Sequence, residues 1–225
     1  MWRSQYYGVP GTVQHVSELA RTCPNQYHKP FRTAFKSHKY IHQVLTLSLS
    51  QVVHRDLKLE NVVVGPADHP GGGKRLCLSN FGYALYQPER AEPFIVNPDD
   101  SNTWLGGNIA HLPPEILNPA EDVTELDYTK ADVFGAGCMI YEILNLQNPF
   151  EGEDSLIKRV YSQSDLPLIP KRSRYSYALD RLVCLLLRHK PSKRISAKRA
   201  GDLVEVMLWG PEELRVSRTF ICLDR

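Results

Sequence analysis

Apolar residues along this chain recur at two periods, and the change from one to the other divides it into elements. From about Phe35 to Ser50, Ile41, Val44, Leu45 and Leu49 fall near the 3.6-residue spacing of an amphipathic helix that ends just before His54. The β-branched triplet Val62-Val63-Val64 then reads as a short buried strand, with Arg75 to Ser79 as its partner. Between them Gly65 to Gly73 is turn material. Its glycines Gly71, Gly72 and Gly73 lack the fixed spacing of a phosphate-cradling loop, so they read as a linker. Tyr83 to Trp104 is irregular, with Pro88, Pro93 and Pro98 and no apolar period, the mark of a functional or disordered loop. Asp127 is placed to cap a helix from about Tyr128 to Leu146, whose Val133, Ala136, Ile140, Ile143 and Leu144 suit a largely buried position before Pro149 stops it. Leu179, Leu182, Val183, Leu186 and Leu187 form another stripe. Ser196 caps a further helix through Leu203, Val204, Met207 and Leu208, closed by Gly210-Pro211. The expectation is a mainly α fold with one small β-hairpin, divided into a polar lead (1–34), a helical lobe (35–210) and a tail (211–225).

Composition narrows the function classes. With 225 residues, 42% of them hydrophobic, the chain can bury a sizeable core as one large domain or two small ones. Its 27 basic and 25 acidic residues are interspersed, so no block stands ready to grip nucleic acid or an anionic membrane. No run approaches the ~18 apolar residues of a membrane span, and the N-terminus has no apolar signal core. Five cysteines, odd in number and widely spaced, suit reduced core thiols and a cytosolic compartment better than a disulfide frame or a zinc site.

The chemistry gathers at two places. Val53 to Asn61 contains His54-Arg55-Asp56 followed by Lys58 and Asn61, an H-R-D-x-x-x-x-N spacing in which the aspartate takes a substrate hydroxyl proton and the asparagine holds Mg²⁺. Where such an enzyme needs a second, metal-binding aspartate, this chain has Asn80-Phe81-Gly82. An amide there removes a full negative charge from beside the metal, and such a charge contributes several kcal/mol to transition-state stabilisation. Two readings of Asp56 follow: a general base acting on a positioned substrate, or part of a hydrogen-bonded brace with His54 and Arg55. Asn61 alone is a weak ligand for a hard cation. Asp132, inside an otherwise apolar helix, is expected to accept backbone donors near His54 and Arg55. Trp209 is either core or an exposed anchor for association.

The order of these landmarks resembles a protein-kinase C-terminal lobe. His54 to Asn61 resembles the catalytic loop and Asn80-Phe81-Gly82 the D-F-G place. Pro113-Pro114-Glu115 resembles A-P-E, Asp132-Val133-Phe134 with Gly137 the central-helix motif, and Pro191 to Arg194 the arginine segment that pairs with the A-P-E glutamate. That pair, Glu115 with Arg194, would pin the loop after residue 112 to the last helices. Lys58 resembles the serine/threonine-type loop rather than the tyrosine-kinase style. Ser79-Asn80-Phe81, Asn148-Pro149-Phe150-Glu151 and Met207 to Leu214 together resemble the Pragmin and pseudopodium-enriched atypical kinase family.

Several expectations follow from that resemblance. The chain would be a pseudokinase scaffold in cytoplasmic signalling, associated with cytoskeleton or adhesions, with signalling proteins and related pseudokinases as partners. Asp56 and Lys58 would be a degenerate catalytic site, and Asn61 and Asn80 vestigial Mg²⁺ and ATP positions, with no cofactor bound. No G-x-G-x-x-G cover or strand lysine precedes residue 35, so the upper, strand-rich lobe is expected to be largely absent from this chain. The competing expectation is a serine/threonine kinase using ATP and Mg²⁺, its upper lobe supplied in a longer product.

Overall fold

The computed structural model describes residues 14–15, 52–65, 75–86, 95–96, 107–117, 119, 126–145, 147–150 and 177–210. The helix expected over Phe35 to Ser50, the glycine-rich tip and most of the irregular loop lie outside them.

Val62 to Gly65 and Arg75 to Leu78 form the expected hairpin. Strands β3 (Val62–Gly65) and β4 (Arg75–Leu78) pair antiparallel, with Val62 opposite Leu78 and Gly65 opposite Arg75. A third strand, β1 (Gln14–His15), pairs antiparallel with Val64 and Val63, so the hairpin is widened into a three-stranded sheet. The two-residue β1 lies within the stretch read as a polar lead; a pair of residues carries no period to detect, and only its partner strand defines it. Two short ladders frame the loops: β2 (Val52–Val53) with β5 (Leu85–Tyr86), and β6 (Ile95–Val96) with β7 (Leu126–Asp127).

Four α-helices are described: α1 (Pro114–Leu117), α2 (Ala131–Asn145), α3 (Tyr177–Leu186) and α4 (Ala197–Trp209). Every residue of α2 from Ala131 to Tyr141 is buried, which accounts for a sequence apolar on all sides. The helix begins at Ala131 rather than Tyr128, because the Asp127 carboxylate accepts from Thr129 N at 2.8 Å and closes a turn ahead of the helix instead of capping it. Ser196 does cap α4, its hydroxyl accepting from Arg199 N at 3.2 Å, and the Gly210 N–H donates to Val206 O beyond the helix end.

The main core joins one face of α2 (Phe134, Cys138, Ile140, Tyr141) to α3 (Leu179, Leu182, Val183, Leu186) and α4 (Ala200, Leu203, Val204). Gly137 makes the approach possible, since a Cβ there would lie 2.8 Å from Leu187 Cδ2 and 2.9 Å from Leu186 Cβ. The opposite face of α2, through Ala136 and Met139, packs on Leu57, Val62 and Leu76 and so fixes the chain around His54 to the β-hairpin.

Candidate functional site

The loop between β2 and β3 is fixed from beneath by α2. Asp132, in the first turn of that helix and buried, accepts from His54 N at 2.6 Å and from Arg55 N at 3.0 Å. Burial pushes its carboxyl up from the ordinary value, opposed by those two N–H donors and by the Arg55 guanidinium. Arg55 adopts φ 62°, a left-handed conformation that is costly for an arginine, and both backbone and side chain hold it there. Its Nε donates to Tyr83 O at 2.7 Å, its guanidinium carbon lies 5.1 Å from the centre of the Tyr128 ring, and it hydrogen-bonds the Tyr128 hydroxyl. Burial raises the Tyr128 hydroxyl above its usual pKa, while Arg55 acts in the opposite direction. His54 accepts from Asp56 N at Nδ1, 3.3 Å away, so the ring proton sits on Nε2 and is donated to Ser79 O at 3.0 Å. The same ring lies 4.7 Å from the ring of Phe81.

Asp56, Asn61 and Asn80 meet above this brace. Asn61 Nδ2 donates to Asp56 O at 2.6 Å and Asp56 Oδ2 at 2.8 Å, which turns Asn61 Oδ1 outward. Asn80 Nδ2 then donates to both Asp56 Oδ2 and Asn61 Oδ1, each at 3.3 Å. Lys58 Nζ lies 3.1 Å from the same Asp56 oxygen. Oδ1 of Asp56 is buried without a hydrogen-bond partner, and Gly107 stands over the carboxyl so closely that a Cβ there would overlap it. Gly107 was not singled out in the sequence; a Gly106-Gly107 pair after an irregular loop carries no signal of this contact. Asn80, like Arg55, has a positive φ, 63°, a conformation asparagine accepts more readily than most residues.

Glu115 and Arg194 form a separate centre. Arg194 donates through Nη1 to Glu115 Oε1 at 2.6 Å and through Nη2 to Glu115 Oε2 at 3.0 Å. Its remaining N–H groups reach the carbonyls of Lys130, Arg188 and His189, and its guanidinium carbon sits 5.0 Å from the centre of the Phe134 ring. Burial, followed by the nearby Arg194 charge, lowers the pKa of the Lys130 amine, whose Nζ donates to Arg194 O. Trp209, at the end of α4, is 67% exposed, so it is not core. Among the described residues no cluster of three or more His, Cys, Asp or Glu could hold a metal ion, and no helix is long and apolar enough to cross a membrane.

A helical lobe carrying an H-R-D loop, an N-F-G turn and a glutamate–arginine tie between P-P-E and the final helices defines a protein-kinase-like domain. The family profile described as Protein kinase domain matches residues 13–203, and the chain belongs to that family. It is similar to the inactive tyrosine-protein kinase PEAK1 of Homo sapiens, 35% identical over 177 residues, which cover 72% of this chain and 9% of that protein. It is also similar to the inactive tyrosine-protein kinase PRAG1 of Rattus norvegicus, 32% identical over 195 residues, covering 71% of this chain and 13% of that protein. A solved structure of the pseudokinase PEAK1 superimposes with a TM-score of 0.61 at 28% identity, covering 88% of this chain and 46% of that one. The chain thus spans about a tenth of the length of these curated relatives. The likeness to the Pragmin and pseudopodium-enriched atypical kinase group, read from Ser79-Asn80-Phe81, Asn148 to Glu151 and Met207 to Leu214 together, is borne out.

Proposed function

We propose that this chain is a catalytically inactive, kinase-like scaffold that works in cytoplasmic signalling through protein association, without ATP or Mg²⁺. One observation carries this reading: the group in the D-F-G place is an amide whose N–H bonds point at Asp56 Oδ2 and Asn61 Oδ1. Both groups that would face a divalent ion are met by donor hydrogens, and a hard cation prefers carboxylate oxygens. The residues present do not fit the ion. Asp56 is 1% exposed and closely backed by Gly107, so a substrate hydroxyl has no open approach to its free oxygen. The names of the similar proteins PEAK1 and PRAG1, both called inactive, support the same reading.

The strand-rich upper lobe is largely missing from this stretch of chain, and the helical lobe acts as the platform. Trp209, exposed at the end of α4, is an anchor for self-association or for a related pseudokinase. The location is cytoplasmic, near cytoskeleton or adhesions.

A thermal-shift titration of the full chain with ATP and Mg²⁺ tests the inactivity: the expected result is no saturable shift. Saturable stabilisation together with phosphate transfer that Asp56→Asn abolishes would establish the second reading, a serine/threonine-type kinase, which the Lys58–Asp56 ion pair favours. For association, light scattering at tens of micromolar is expected to show a species larger than the monomer, reduced by Trp209→Ala. A strict monomer rules the Trp209 anchor out.

A further inference from the structure

We infer that the Asn80 amide is a built-in substitute for a divalent cation: it ties the His54 to Asn61 loop to the end of the hairpin with no metal or nucleotide, so this part of the lobe is ordered permanently rather than on ligand binding. The inference rests on the non-catalytic reading and extends it to regulation. A platform held in this way does not respond to cellular nucleotide or Mg²⁺.

The geometry leads there in three steps. Asn61 has its amide nitrogen committed to the backbone and side chain of Asp56, so its Oδ1 can only present an acceptor to Asn80. Asp56 presents a second acceptor, Oδ2, on a buried carboxyl that Asn61 Nδ2 and Lys58 hold in place. The side chain at position 80, itself at the exposed side of the cluster, therefore faces two acceptors and meets them directly only with donor hydrogens or a cation. Asparagine brings the hydrogens. A carboxylate in its place would set an acceptor-only group against a carboxylate and a carbonyl, a repulsion that Lys58, 3.1 Å from the same Asp56 oxygen, relieves only in part and a bound cation would relieve further. The turn itself does not change, because the left-handed backbone at position 80 is open to asparagine and aspartate alike.

The test is thermal unfolding of the full chain and of Asn80→Asp and Asn80→Ala in EDTA, then in millimolar MgCl₂ or MnCl₂, with NaCl matched for ionic strength. The natural chain is expected not to shift with either divalent salt. In EDTA, Asn80→Asp is expected to melt lower by about 4 °C or more, the scale of at least 1 kcal/mol in a domain of this size, and to recover saturably with Mg²⁺ or Mn²⁺ but not with NaCl. Asn80→Ala, which removes the two bonds without adding charge, is expected to lose less and to ignore divalent ions. The inference is overturned by a divalent-induced shift of the natural chain, by an aspartate variant no less stable than the alanine variant, or by recovery that NaCl reproduces or divalent ions fail to give. If Asn80→Asp does not fold at all in EDTA, folding on addition of Mg²⁺ supports the inference and continued failure overturns it. Stabilisation of the natural chain by ATP with Mg²⁺, but not by Mg²⁺ alone, counts against the nucleotide-free reading, and phosphate transfer alongside it would sink the non-catalytic reading separately.

Discussion

Two polar centres of this lobe, the Glu115–Arg194 tie and the Asp56–Asn61–Asn80 cluster, each set buried polar groups against a partner nearer the surface, yet they are finished to different standards. The Arg194 side chain donates from Nε, Nη1 and Nη2 to five acceptors, and it is fully buried against a glutamate that remains 21% exposed. In the cluster, one Asp56 oxygen takes bonds from Asn61 and Asn80 and an ion pair from Lys58, while the other is buried with no partner. A fully met centre is what a fold needs of a structural tie, because an unpaired buried charge costs several kcal/mol. An orphaned acceptor marks a centre whose polar groups are met only in part. The first centre is fully met, and the second is met at one Asp56 oxygen only, by the Asn61 and Asn80 amides and Lys58.

Arg194→Met is expected to have the largest effect, a loss of about 3–5 kcal/mol in urea unfolding, since it leaves Glu115 and three carbonyls without their donor. Asp132→Asn follows, at about 2 kcal/mol, because an amide can accept one of the two N–H groups of His54 and Arg55 but sets its own N–H₂ against the other. Asp56→Asn is expected to cost about 1 kcal/mol, the weakening of bonds to Asn61, Asn80 and Lys58. A loss equal to that of Arg194→Met would mean that the two centres are structural to the same degree.

The smallest effect concerns alkaline pH. Burial raises the hydroxyl pKa of Tyr128 and Tyr141, so the folded chain keeps those protons after the unfolded chain begins to lose them at pH about 10. Stability should be unaffected by them below that pH and fall as pH rises from there through the folded values. The decline should be shallower in Tyr141→Phe, and an unchanged slope in equilibrium unfolding between pH 9 and 11 would count against the assignment.

Legibility from sequence followed the range of each interaction. The hairpin, α2, α3 and α4 were readable because their periods are local, and the Ser196 cap because its acceptor and donor are three residues apart. The start of α2 was misplaced by three residues, since an aspartate ahead of an apolar run signals either a cap or a side-chain turn, and Asp127 makes the turn. Strand β1 was missed because its identity comes from Val63 and Val64, about fifty residues away. The occlusion of Asp56 by Gly107 was missed for the same reason: the two meet only when the segment after the long loop folds back on Arg55.

What the sequence determined by itself is composition at fixed spacings: an H-R-D loop with Asn61, an amide at position 80, a glutamate after two prolines and an arginine near the end. Tertiary structure decided which of these meet and what each meeting does. Packing of α2 on α3 and α4 brings Arg194 to Glu115 across 79 positions, and seating of the loop on Asp132 sets Asn80 with its hydrogens toward two acceptors. The physical reason is that hydrogen bonds are directional over about 3 Å, and direction at that scale comes from the packed core, not from the order of residues along the chain.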